Sequence, residues 1–170
     1  MSQYVSIWAL RALKGFSILA WLACAWGQLV AVPALSEAMA GLYPSQTPMR
    51  WPYVVMGALL LLCVEVAFVG VWRLLSLSGS GAVFTAKALP CVNLIIGCAA
   101  AATVLTAAVL GAFAATAPGD ATMQAMDYWS VVTVLGVGAV AGVGFTLLMV
   151  VMRGLLRAAT DQSDELGQVI

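Results

Sequence analysis

Apolar residues along this chain form four long, nearly unbroken runs. The runs cover residues 15–35, 53–72, 91–117 and 130–152. Each run is long enough to cross a hydrocarbon core of about 30 Å as a helix, because a helix rises about 1.5 Å per residue. Stretches such as 99–115 lack the alternation of apolar and polar residues that a membrane β-strand shows. The pattern therefore predicts an all-α, polytopic membrane protein, in which four transmembrane helices form one bundle and one domain.

The composition agrees with a membrane protein. Hydrophobic residues make up 64% of the chain and charged residues 8%, whereas about 25% of the residues in a soluble domain are charged. We expect no separate soluble domain, only a short tail at residues 153–170. We also expect that the N-terminus is not a cleavable secretory signal, because its first apolar run has full spanning length.

The basic residues predict how the spans are oriented. If the four spans alternate in direction, six basic residues fall on the side that carries both termini, and only Arg50 falls on the other. Loops rich in Lys and Arg stay in the cytoplasm. We therefore expect both the N-terminus and the C-terminus to be cytoplasmic. The six residues are Arg11, Lys14, Arg73, Lys87, Arg153 and Arg157.

The connections between the spans differ in character. The outer connection at 36–52 contains three prolines, which predict an extended and irregular chain. These are Pro44, Pro48 and Pro52. The inner connection at 73–89 carries the pattern of a helix start, in which Thr85 caps the helix while Phe84 and Leu89 form a hydrophobic staple.

Glu65 is the most unusual residue, because it lies within span two among apolar neighbours. An ionised carboxylate there costs several kcal/mol, so Glu65 should be protonated, paired or directed into a watery cavity. We expect it to be neutral and hydrogen-bonded toward span one, three or four. Counted at about 1.5 Å per residue, its depth matches Cys24, Cys98 and Gly142, and Thr146 is the nearest good polar partner. Its role can be functional or a contact between helices.

Four cysteines raise the question of a metal or redox site. Cys24, Cys63 and Cys98 fall near the middle of their spans and could form a thiol cluster, although Cys63 and Glu65 point to different sides of one helix. Cys91 and Cys98 are about 10 Å apart, beyond the roughly 7 Å limit for a disulfide. The chain has no histidine and no CxxC pair. We therefore expect packing roles for the cysteines and no metal, no cofactor and no catalytic residue.

Milder polar residues within the spans do not share one depth. They are Gln28, Asn93, Thr103 and Thr106. No continuous polar pathway follows from this distribution, which argues against a channel or a transporter.

Span four carries glycines on two faces. Gly138 and Gly142 form a small-xxx-small face, and Gly136 and Gly144 mark roughly the opposite side. Small residues let helices approach closely in a membrane. Span four is therefore expected to pack between two neighbours, of which one belongs to this chain and the other to this chain or to a second protomer in a homo-oligomer.

The tail and the inner connection resemble a known family. The segments are VMRGLLRAAT at 151–160, DELGQVI at 164–170 and GAVFT at 81–85. They are similar to a family of small bacterial four-helix membrane proteins, the domain-of-unknown-function family 2975, although Gly167 stands where that family's pattern has an acidic residue. The resemblance implies a multi-pass protein of the bacterial cytoplasmic membrane with no established activity. Members are often encoded beside a very small helix-turn-helix regulator, which implies signalling.

Two functions of different classes remain open. The first is a non-enzymatic membrane protein that binds or modulates a partner, such as the small regulator, through the inner connection and the tail, and does not itself bind nucleic acid. Its partner-facing residues would be Phe84, Arg153 and Arg157. The second is an oligomeric proton- or solute-coupled carrier that uses Glu65. An enzyme is not expected, because no nucleophile–base pair or phosphate loop is present.

The tail is predicted to be helical. Arg157 and Asp161 are four residues apart, a spacing that supports a helix. We expect the helix of span four to continue for two or three turns beyond Arg153, with the arginines at the anionic inner leaflet.

Overall fold

The computed structural model describes residues 2–79 and 89–167, and nearly all of them are helical. The helices are α1 (Ser2–Trp26), α2 (Val32–Leu42), α3 (Arg50–Gly79), α4 (Leu89–Thr116) and α5 (Ala125–Gly167). A π-helical turn at Gly27–Ala31 joins α1 to α2 without a break, and 3₁₀ turns occupy Pro44–Met49 and Ala117–Gly119.

Four helical stretches are long and apolar enough to cross a membrane, which confirms the predicted number of spans. They are span one (Arg11–Leu42), span two (Pro44–Ser76), span three (Leu89–Thr116) and span four (Ala125–Ala158). Spans one, two and four are longer than the apolar runs. A helix needs only its own backbone hydrogen bonds to continue, so it passes through flanking polar residues such as Glu37.

The outer connection at 36–52 is not extended, and that prediction was wrong. Helix α2 continues to Leu42, the 3₁₀ turn begins at Pro44, and α3 begins at Arg50. The first and last prolines of this segment occupy first turns, where a backbone N–H has no helical partner in any case. Prolines at such positions start helices rather than break them.

The predicted helix start in the inner connection lies largely outside the described residues. These include neither Phe84 nor Thr85, and the next described segment opens with α4 at Leu89. Pro90 is the second residue of α4, again within a first turn that tolerates proline.

Successive spans run antiparallel and pack mainly in chain order, one on two, two on three and three on four. The amino group of Lys14 lies 5.4 Å from the centre of the Trp72 ring, which places the start of α1 beside the end of α3. We name this end, where α5 also finishes, the tail end. The opposite end carries the 43–49 and 117–124 segments, which we name the cap.

A groove runs between spans two and four, with span three as its floor. Its volume is about 470 Å³, and its lining is almost entirely apolar. Cys63 and Cys98 lie in its wall, together with Phe68 and Phe145. The predicted bundle is therefore open along one side in the part of the chain that the structure describes.

The two glycine faces of span four have different surroundings. Gly142 packs directly against the Thr103 side chain, and a Cβ atom on Gly138 would lie 3.8 Å from Thr106. A Cβ atom on Gly136 or Gly144 would lie more than 4 Å from every atom of the neighbouring helices in the described chain. The first face thus joins spans three and four, and the predicted second neighbour is not part of the described chain.

Helix α5 confirms that span four continues beyond the membrane-spanning stretch. It runs unbroken over 43 residues to Gly167. From Arg153 this amounts to about four turns, one more than predicted. The side chains of Arg153 and Arg157 are exposed on this part of the helix.

Candidate functional site

The contact between spans one and two, which we call the seam, has a regular register. A Cβ atom on Gly57 would lie 2.9 Å from the Val32 side chain, and one on Gly27 would lie 3.3 Å from Leu61. Near the cap, the Ser36 hydroxyl donates a 2.8 Å hydrogen bond to the Arg50 carbonyl. These contacts bring the two helices close together along the half of the seam nearer the cap.

Glu65 lies on the seam and faces span one. It is one turn further along α3 than Leu61, and only 8% of its surface is exposed. The Cys24 thiol lies close enough to interact electrostatically with the Glu65 carboxyl group. Atom Oε1 of Glu65 is fully shielded and has no hydrogen-bond partner among the described residues.

The partners that the sequence suggested on spans three and four are not near Glu65. The Thr146 hydroxyl donates to the Gly142 carbonyl of its own helix at 2.8 Å. Cys98 lies in the groove, on the other side of span two. Depth alone therefore identified Cys24 correctly, but it could not separate Cys24 from Cys98 and Gly142, because residues at equal depth can lie on different sides of a helix.

Gln28 was named as a polar residue of span one, but the sequence did not connect it with Glu65. It lies in the π-helical turn, about one turn after Cys24. Its Nε2 atom is fully shielded and also lacks a hydrogen-bond partner in the described chain. The backbone positions of Gln28 and Glu65 lie at different depths along their spans, which is why the sequence did not pair them.

The π-helical turn begins at Gly27, immediately before Gln28. The Val32 N–H donates to the Gly27 carbonyl, five residues back instead of four. Pro33 has no N–H, and in a regular α-helix its ring would collide with the carbonyl four residues earlier. The wider turn relieves that collision. Single π turns of this kind occur frequently at functional sites.

The cysteines form no common cluster. Cys24 lies on the seam, whereas Cys63 and Cys98 lie in the groove and Cys91 is buried in α4. All four are free thiols. No group of three or more His, Cys, Asp or Glu residues in the described ranges could hold a metal ion.

The cap is a second polar region, and it is centred on Gln46. This side chain is 1% exposed, and its Oε1 atom accepts hydrogen bonds from the hydroxyls of Tyr53 at 2.9 Å and Thr116 at 3.2 Å. The Ser45 N–H donates to Asp120 at 2.9 Å. These bonds tie the two halves of the cap together, and the sequence indicated none of them, since the partners are far apart along the chain.

Hydrogen bonds also set the charge state of the cap. The Thr122 hydroxyl, the Ser45 N–H and the Thr122 N–H all donate to Asp120 and lower the pKa of its carboxyl group well below the usual range. The Tyr43 hydroxyl donates to Asp127 at 3.0 Å, and this bond raises the pKa of the tyrosine.

We expect the cap to lose stability at acid pH. The ionised form of Asp120 is the one that accepts these hydrogen bonds, so its stabilisation is complete above the unfolded-state pKa of about 4 and is lost as the pH falls below it. The thermal midpoint of the detergent-solubilised protein should therefore stay above that of Asp120→Asn by a constant amount from pH 6 to about pH 4 and approach it as the pH is lowered further, to about pH 2. A difference between the two proteins that stays constant down to about pH 2 would contradict the prediction.

One family model matches most of the chain. Residues 34–170 match the model of a family described as a protein of unknown function, DUF2975. The chain belongs to this family. The resemblance in the tail and the inner connection is thereby confirmed, and the matched region includes Glu65, while Gln28 precedes it. No curated protein and no solved structure matches the chain.

Proposed function

We propose that this DUF2975 member is a non-enzymatic protein of the bacterial cytoplasmic membrane that binds a small cytosolic helix-turn-helix regulator. The observation that supports this function best is the length of α5, which is 43 residues. At about 1.5 Å per residue it extends about 64 Å, roughly twice the thickness of a hydrocarbon core. Its final turns therefore leave the membrane while still helical, as a docking element would.

The proposed docking surface comprises the end of α5 and the 73–89 connection. Arg153 and Arg157 are exposed on α5, and we place them at the anionic inner leaflet, as the excess of basic residues at the tail end favours. Beyond them the sequence becomes acidic, with Asp161, Asp164 and Glu165. An acidic helix beside the membrane suits a partner that carries the basic surface of a DNA-binding protein.

Deletion of residues 161–170 tests this function. We expect the shortened protein to insert and to keep its unfolding midpoint, because the spans pack without these residues. It should no longer co-purify with a co-expressed small helix-turn-helix regulator, whereas the full chain should. In spheroplasts, protease added from outside should not remove a tag at residue 170, since we propose that both termini are cytoplasmic.

A matched pair of charge reversals separates docking from topology. Asp164→Lys reverses one charge of the acidic segment in the proposed surface, and Asp127→Lys makes the same charge change at the other end of α5, outside that surface. Only the first should weaken co-purification. A truncated protein that fails to accumulate would show that the tail is structural, and equal effects of the two reversals would also count against docking.

Glu65 favours a second function, that of an oligomeric proton- or solute-coupled carrier. Its carboxyl group is buried, and one of its oxygen atoms has no partner in the described chain. Buried acids within membrane spans commonly bind transported protons. The open glycine face of span four would accommodate a second protomer. Proton flux into liposomes that Glu65→Gln abolishes would support this function over the first.

A further inference from the structure

The seam contains one unpartnered hydrogen-bond donor and one unpartnered acceptor. In the described part of the chain, the fully shielded side-chain atoms without a partner are Gln28 Nε2 and Glu65 Oε1. Leaving such a group unsatisfied costs about 1–3 kcal/mol in the interior of a protein. Two such atoms on facing helices therefore indicate a molecule bound between them, rather than two unrelated groups that are left without a hydrogen bond.

The directions of the two helices bring these side chains together. Helical side chains lean toward the N-terminus of their own helix. Span one begins at the tail end, so Gln28 leans back toward the level of Cys24. Span two begins at the cap, so Glu65 leans toward the level of Leu61. The two groups approach the same layer of the seam from opposite sides, although they do not hydrogen-bond each other.

The hydrogen-bonding capacity of these atoms determines which molecule can bind between them. It must accept a hydrogen bond from Gln28 Nε2 and donate one to Glu65 Oε1. A metal cation has no hydrogen to donate, and a backbone or side-chain amide from outside would not fit between two closely packed helices. A water molecule does both, and two to four polar partners are what a buried water requires.

We propose that Gln28 and Glu65 bind one water molecule within the seam, through which Glu65 exchanges its proton. Because Oε1 accepts from the water, the proton of the neutral carboxyl group resides on Oε2. This inference deepens the carrier function proposed above by naming the group that exchanges the proton with Glu65. The water site itself does not require transport.

The other titratable groups near Glu65 are few. Cys24 faces it from span one. On the same seam, Lys14 lies over Trp72, about two turns from Glu65 toward the tail end. The ion pair between Arg50 and Glu37 lies at the cap end. Cys91 and Cys98 of span three pack on the other side of span two.

Infrared difference spectra recorded on a pH step test the site. The carboxylic acid band of Glu65 is assigned as the one that Glu65→Gln removes. Gln28→Met keeps the side-chain length but not the hydrogen bonds, and we expect it to shift this band upward. Asn93→Leu removes a carboxamide elsewhere in the membrane and should leave the band unchanged.

The bound water is tested in the unmodified protein by exchange into H₂¹⁸O. We expect an O–H band that shifts with the isotope and that is lost in Gln28→Met. If the carboxyl band responds to Gln28→Met without any isotope-sensitive band, the two side chains bond directly and the water is rejected. If neither band responds, the site itself is rejected. If both respond but liposomes show no proton flux, the site stands and the carrier function fails.

Discussion

Glu65→Lys should prevent accumulation of the folded protein, whereas Glu65→Gln should preserve it. Glu65 is 8% exposed and faces a closely packed helix that offers Cys24 and Gln28 but no acidic side chain. A lysine at the centre of a membrane helix costs about 2.5–3.5 kcal/mol on insertion scales. Glutamine keeps the shape of the side chain and can bond the same neighbours.

The measurement is the amount of monodisperse protein extracted from membranes, together with its unfolding midpoint. Val66→Lys is the matched control, because it introduces the same charge at the same depth on a more exposed side of span two. We expect a larger loss for Glu65→Lys than for Val66→Lys. Equal losses would mean that insertion alone is affected and that burial in the seam contributes nothing. An ionised carboxylate band from Glu65 at neutral pH would contradict the neutral state.

Gly142→Val should separate spans three and four and destabilise the protein by about 2–3 kcal/mol, in the range of overpacked cores. Even one added carbon atom at Gly142 would overlap the Thr103 hydroxyl oxygen, and it would lie 3.3 Å from two further atoms of that side chain. Thr103 cannot simply rotate away without losing its 2.8 Å hydrogen bond to the Ala99 carbonyl. Unfolding in a denaturing detergent gives the free-energy change.

Gly136→Val is the control for this prediction. It adds the same side chain to the same helix at a position with no atom within 4 Å, so the change should stay within about 0.5 kcal/mol. Thr103→Ala combined with Gly142→Val should recover part of the lost stability, as expected for residues in contact. Destabilisation by Gly136→Val at equal size would instead show that the second glycine face is occupied, and loss of a dimer would identify a second protomer there.

The seam shows how far the sequence could lead to the candidate site. Glu65 was identifiable at once, since a lone acid in an apolar run has few explanations. Gln28 was named as a polar residue but was not paired with Glu65, because a count of depth from the ends of the spans ignores both the lean of side chains and the wider π turn. Pro33 was the available signal, because a proline inside a membrane span predicts a local change of hydrogen bonding.

The cap illustrates a different limit. Its three prolines suggested an irregular chain, but two of them begin helical turns. Whether a proline breaks a helix or starts one depends on where the helix begins. That boundary is set here by contacts such as those of Gln46 with Tyr53 and Thr116. These residues are distant in sequence, and no local pattern relates them.

The sequence by itself determined the number of spans and their alternating direction, because a membrane accepts only long apolar segments whose backbone groups are satisfied internally. That requirement applies to each segment separately, so each apolar run predicts a span without reference to the rest of the chain. Only the tertiary structure decided which faces meet: Glu65 with span one, Gly142 with Thr103, and a groove instead of a closed bundle. Lipid solvates every apolar helix face equally well, so small differences in close packing determine which helix faces pack against each other.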